Sequence, residues 1–159
     1  MEKITKTNAM RALDANKIPY QTSSYEYDES DLSGVHASKM LGIEPEIMFK
    51  TLVTVTDKLE HRVFLIPVAE ELDLKKCAVV SGDKRVELIH VKELLPLTGY
   101  IRGGCSPIGM KKKFATYIDE TAILFDKIYV SAGARGVQII IDPQTLRDFT
   151  NATFADLVK

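Results

Sequence analysis

Residues 100–113 read Tyr-Ile-Arg-Gly-Gly-Cys-Ser-Pro-Ile-Gly-Met-Lys-Lys-Lys, the stretch of this 159-residue chain that gathers most groups suited to an anion. Gly103 and Gly104 permit backbone conformations and close approaches that a Cβ forbids. Ser106-Pro107 stiffens the far side of the loop. Arg102 and Lys111 to Lys113 set cationic charge beside it. Lys50 stands one residue into the apolar run Phe49-Lys-Thr-Leu-Val-Thr-Val-Thr. From there an ammonium can bind phosphate or polarise a carbonyl, or simply face solvent. Ser131 ends a strand before Ala-Gly-Ala-Arg-Gly and has two readings, a substrate contact or a turn hydroxyl bonded to its own backbone. Tyr25 can stack on a base or bond a ribose; it also suits a half-buried sheet position. Cys105 has no activating base near it in sequence, and a reactive thiol needs a depressed pKa. No histidine lies near Ser131, so a hydrolase triad finds little support.

These residues need elements to hold them. Residues 7–17 carry Met10 and Leu13 on one face behind Thr7, which predicts a capped helix stopped by Ile18-Pro19. Residues 20–27 predict a strand, and residues 36–41 a short helix ended by Gly42. Residues 49–56 and 63–68 are β-branched and apolar, with a turn between them, and predict a hairpin. Residues 72–80 predict a helix, residues 86–89 a strand, and residues 91–95 a helix ended by Pro96 and Gly99. Residues 100–102 should enter the glycine loop as a strand, and residues 114–118 should leave it as another. A second hairpin joins residues 127–131 to residues 136–141. Asp142-Pro143 supplies the cap and first position of a last helix, and residues 151–157 a final strand or turn.

Helices and hairpins in irregular alternation predict an α+β fold: one domain over residues 1–159, with helices packed on a mixed, mostly antiparallel sheet. Six of the nine glycines fall between Gly99 and Gly136, where functional loops should cluster. A hydrophobic share of 45% and a charged share of 27% suit a globular protein with a core of its own. The net charge of −1 excludes a general nucleic-acid coater, so any such contact must use local basic clusters. Two cysteines and three histidines show no metal-ligand spacing, and neither metal nor cofactor is expected. The first residues show no apolar leader, and no run is long enough to span a bilayer. A reducing cytoplasm is the expected compartment.

Phe49-Lys-Thr-Leu52, Leu72-Asp-Leu-Lys-Lys76, Gly99-Tyr-Ile-Arg-Gly-Gly-Cys-Ser-Pro-Ile-Gly109, Ile118-Asp119 and Ile128-Tyr-Val-Ser-Ala-Gly-Ala-Arg-Gly136 occur in this order. Together they resemble the YbaK/EbsC family of aminoacyl-tRNA deacylases, relatives of the editing domain inserted in bacterial prolyl-tRNA synthetases. The resemblance runs over residues 13–155. It implies a barrel-like α+β editing domain that clears mischarged tRNA in trans, with Cys-tRNA(Pro) as substrate and prolyl-tRNA synthetase as a partner. By matching positions, Lys50 becomes the principal functional lysine. Gly103 and Gly104 would line the pocket, with Ser131 and Gly133 on its second wall. Tyr25, Arg102, Ser106 and Pro107 would contact substrate. Lys111 to Lys113 would touch the tRNA backbone, and Cys105 fills a variable slot. The chain departs from the family pattern at residues 32–36, where an aromatic is usual. It departs again at Gln138, where an acidic residue is usual, which weakens a role for that position as a base.

The chemistry implied is modest. An aminoacyl ester is already activated, and a cysteinyl ester carries its own thiol. That thiol can attack its own carbonyl if the pocket holds it in attack geometry, while glycine-loop amides steady the oxyanion. Two other readings remain: water-driven clearance of Ala- or Ser-charged tRNA, and a module that binds tRNA or a synthetase without turnover. Oligomeric state is not readable.

Overall fold

The structure, a computed structural model, describes residues 5–159; residues 1–4, where the expectation of no apolar leader partly falls, lie outside the described residues. The first helix, α1 (Asn8–Ala15), starts where Thr7 accepts the Met10 N–H and buries Ala9, Met10 and Leu13. Strand β1 (Gln21–Ser24) is shorter than predicted. Beyond it Tyr25 keeps one bond, its N–H to the Gly136 carbonyl, before Asp28 turns the chain by accepting from Ser30. Helix α2 (Gly34–Leu41) begins two residues earlier than expected because Ser33 caps it, and Gly42 closes it in the left-handed region.

The first hairpin is β2 (Phe49–Thr56) with β3 (His61–Pro67). Helix α3 (Leu74–Ser81) comes next, its Asp73 cap accepting from the Lys75 and Lys76 N–H groups. Then come β4 (Val86–Leu88) and α4 (Val91–Thr98). Pro96 does not end α4 as predicted but lies inside it. Proline removes one N–H from a helix, and here the last turn is held by other donors: the Gly99 N–H on Leu95 and the Thr98 hydroxyl on Leu94. Residues 100–102 do not form a strand; they lead into a turn at Arg102 and Gly103, closed by the Gly104 N–H on the Ile101 carbonyl at 2.9 Å. The Tyr100 ring is buried there, and its hydroxyl donates across the loop to the Ile108 carbonyl. Strands β5 (Ala115–Asp119), β6 (Ile128–Ser131) and β7 (Val137–Ile141), helix α5 (Pro143–Thr150) and β8 (Thr153–Ala155) complete the chain.

The strands form two sheets, β4-β2-β3-β5-β8 and β1-β7-β6. Pairing is antiparallel except at β3–β5 and β5–β8. This is the α+β, mostly antiparallel architecture expected. The sheets do not close into a barrel: one parallel bridge, Met48 to Tyr129, links them. The largest core packs Phe49, Val53, Val63 and Leu65 against Ile139, Ile141, Met10 and Leu13. A second lies on the other face of the larger sheet, where Phe64 and Ile66 meet Cys77, Ala78 and Leu157. Covered on both faces, β3 buries Val63, Phe64, Leu65 and Ile66 in succession, which explains its continuous apolar run.

The candidate active site

Strand β2 pairs with β3 along its length, but β4 covers only Thr54 to Thr56 of its other edge. The Ile89 N–H still reaches the Val53 carbonyl at 3.2 Å. At the opposite end, the ladder between the two sheets is a single bridge, from Tyr129 of β6 to Met48 just before β2. Between these two points, among the described residues, no strand pairs with this edge of β2. Val68 donates to the Met48 carbonyl and Glu60 accepts the Thr56 N–H, so the even-numbered peptides of β2 face β3. The alternation of an antiparallel ladder then turns the Thr51 peptide group toward the open side.

A cavity of about 430 Å³ fills this gap. One wall is Phe49, Lys50, Thr51, Leu52 and Val53. Ser131 and Gln138, cross-strand neighbours on β6 and β7, also line it. Leu32, Ser33, Gly34 and Tyr25 close one side, and Ile89, His90, Val91 and Leu94 another. Arg102, Gly103 and Cys105 complete the lining. A broader depression of about 670 Å³ lies beside Lys6, Asp14 and Tyr20. Its charges are already paired, Lys6 with Asp14 at 2.7 Å, so the smaller cavity is the better candidate.

Five of the nine residues expected in the site line the cavity: Tyr25, Lys50, Arg102, Gly103 and Ser131. Lys50 is half-buried, and burial lowers its pKa below the ordinary lysine value while Glu71 and Glu70 pull the other way. Among the described residues, no carboxylate lines the cavity itself. Ser131 Oγ accepts the Gly133 N–H at 3.2 Å, the turn bond, and keeps its own proton to donate. Burial raises the Tyr25 pKa, so the phenol stays protonated. The Arg102 carbonyl accepts from Arg135 Nε at 2.9 Å, which ties the glycine loop to the turn after β6.

Gly104, Ser106, Pro107 and Gly133 do not line the cavity. Gly104 is buried, and an added Cβ would lie 3.1 Å from the Arg135 backbone nitrogen. Its N–H is already committed to Ile101. Ser106 is fully buried and accepts the Ile108 N–H, beside buried Pro107. Gly133, at φ +98°, leaves room for the Tyr100 ring, which a Cβ would meet at 2.7 Å. The three lysines 111–113 also lie outside the lining.

Other motif elements are architectural. Asp73 caps α3, and buried Asp119 accepts from Thr121 and from the Leu157 N–H. Sequence reasoning set Cys105 aside, yet it lines the cavity; burial pushes its thiol up to about 12, so it is no nucleophile at neutral pH. It quoted Thr51 within a motif and read elements over the 88–94 segment, but gave neither a role in the site. The alternation of β2 pointed Thr51 at the core, and only the missing strand partner turns it into a cavity wall. Among the described residues no group of three or more His, Cys, Asp or Glu side chains could hold a metal ion, and no helix is long and apolar enough to cross a membrane.

The α+β fold is shared by solved structures. One, a candidate trans-editing enzyme for prolyl-tRNA synthetase, superposes with a TM-score of 0.84 at 24% identity over 96% of this chain and 95% of its own. Another, a hypothetical protein, gives 0.87 at 20% identity over 96% and 100%. These likenesses show the fold. The family rests on sequence: the aminoacyl-tRNA editing domain profile matches residues 33–149, and the chain belongs to that family. A relative from Enterococcus faecalis, provisionally named Cys-tRNA(Pro)/Cys-tRNA(Cys) deacylase EbsC, is 50% identical over 96% of this chain and 93% of its own.

Proposed function

We propose that this chain is a free-standing, single-domain deacylase that removes cysteine from mischarged tRNA(Pro) in the cytoplasm, beside prolyl-tRNA synthetase. The observation that carries the reading is the half-buried Lys50 ammonium on the wall of a carboxylate-free cavity that otherwise offers apolar and neutral polar groups. The name and 50% identity of the Enterococcus relative support the choice of cysteine. A lysine placed this way draws the negative charge of an ester carbonyl or a terminal phosphate toward it, and low polarity around it strengthens the attraction.

The substrate thiol supplies the nucleophile. Its sulfur attacks the ester carbonyl of the same residue, forming a C–S bond. The C–O bond to the ribose breaks and the thiol proton passes to the departing ribose oxygen. Water later opens the thiolactone. Lys50 and the Thr51 N–H on the open edge of β2 stabilise the oxyanion, while Met48, Phe49 and Cys105 give the side chain an apolar seat. Holding thiol and carbonyl together can contribute several kcal/mol of barrier lowering.

The test is a deacylation panel on purified Cys-, Ser-, Ala- and Pro-tRNA(Pro). The proposal expects rapid loss of the cysteinyl ester, slow loss of Ser- and Ala-esters, and an intact prolyl ester. Ser-tRNA cleared as fast as Cys-tRNA would replace the thiol with water as nucleophile, and four intact esters would end the enzyme reading.

A further inference from the structure

Among the described residues, two buried side-chain oxygens have no hydrogen-bond partner: Thr51 Oγ1 and Gln138 Oε1. Both residues line the same cavity, Thr51 on β2 and Gln138 on β7. Gln138 is 6% exposed. Leaving a buried polar atom unpaired costs on the order of 1–3 kcal/mol, and folded proteins keep few such atoms. Two in one cavity mark hydrogen bonds that the protein does not supply to itself.

We propose that Thr51 and Gln138 together hold the α-amino group of the aminoacyl ester, so that the site reads a free amine; this rests on the deacylase reading. Gln138 Oε1 can only accept, so it calls for a donor. An aminoacyl ester offers few. The ester oxygens are acceptors, and a thiol is a weak donor. The amine is the strong one, with the ribose hydroxyl as its competitor. Charge points the same way. With Lys50 and Arg102 in the lining and no carboxylate there, the field disfavours an ammonium and suits an uncharged amine held by neutral acceptors. Both oxygens are turned away from solvent at rest. A half-turn of the Gln138 amide about χ3 and a rotamer step at Thr51 χ1 bring them to the cavity surface, since the first torsion is broad and the second has three staggered wells. Esters with a blocked amine, such as peptidyl-tRNA, are spared in consequence.

The experiment compares kcat/KM on Cys-tRNA(Pro) with that on 3-mercaptopropionyl-tRNA(Pro), which keeps thiol and ester and lacks the amine. Wild type should prefer the cysteinyl ester by at least about tenfold, because a site built around a donor rejects the analogue without it. Gln138→Leu should lose about tenfold on the cysteinyl ester and change by less than about twofold on the analogue, and Thr51→Val should lose about tenfold more on the cysteinyl ester than on the analogue. Thr51→Ser, which keeps the hydroxyl, should restore the preference, and a thermal melt of each variant confirms that it folds. Wild type clearing both esters equally would overturn the proposal. So would equal losses on both esters in the variants, the outcome if these oxygens serve the ribose hydroxyl or only the packing. Wild type inert on both esters would instead defeat the deacylase reading, and the proposal with it.

Discussion

The glycine loop at residues 99–109 and the open edge of β2 both contribute to the candidate cavity, and they treat their polar groups in opposite ways. The loop consumes its own. Gly104 donates to Ile101, Tyr100 to Ile108, and Ser106 accepts from Ile108. The strand leaves groups open: Lys50 is half-buried and cationic, Thr51 Oγ1 has no partner, and the Thr51 peptide faces the gap. A group already satisfied in the fold builds the scaffold, whereas one left unsatisfied at a cavity wall is available to a ligand. The glycine loop holds the wall in place through Tyr100 and Arg135, and β2 presents the chemistry.

Gly109→Ala should break the loop side hardest. Gly109 sits at φ +77°, and an added Cβ would lie 2.8 Å from the Tyr100 hydroxyl oxygen and 3.1 Å from the Ala9 backbone nitrogen. Strain and overpacking together should cost about 2 kcal/mol or more in a denaturant titration. Turnover per folded molecule should change by less than about threefold. A Gly109→Ala protein that keeps its stability and loses activity would invert the roles of the two regions.

The pH dependence sharpens the strand side more gently. Burial lowers the Lys50 pKa from its ordinary value of 10.5, so activity that needs the ammonium is present below the folded pKa and lost as pH rises through it. The alkaline limb of kcat/KM should therefore fall below the ordinary lysine range. Lys50→Arg, which stays charged, should move that limb upward even at a reduced rate. The linkage to stability has the opposite sign. Between the folded and unfolded pKa values the unfolded chain binds more protons, so the Lys50 contribution to stability improves as pH rises. An alkaline limb that Lys50→Arg leaves unmoved would assign it to another group.

Much of this architecture was legible because local chemistry and tertiary packing agree. The β-branched run of β2, the Asp142-Pro143 start of α5 and the Gly42 stop of α2 each specify their element locally. The two misread stretches are places where a distant contact decides. Pro96 stays inside α4 because Thr98 and Gly99 hold the last turn, and residues 100–102 curl because Tyr100 reaches Ile108 and Gly133. Lys50, Ser131, Tyr25, Arg102 and Gly103 meet at one cavity, and their types and motif positions were visible in the chain. Thr51 was not, since an ordinary strand threonine becomes exceptional only when its edge lacks a partner. Gln138 stood out only for not being an acid, and its unpaired amide oxygen is a fact of packing alone.

The most direct measurement is single-turnover clearance of Cys-tRNA(Pro) by wild type and Lys50→Ala, each with its melting temperature. The expected result is rapid clearance by wild type and a loss of about 100-fold in Lys50→Ala, the scale seen when one electrostatic contact to a developing oxyanion is removed, with the melting temperature kept or raised. Lys50→Ala that clears the ester at the wild-type rate would contradict the assignment of the chemistry to β2.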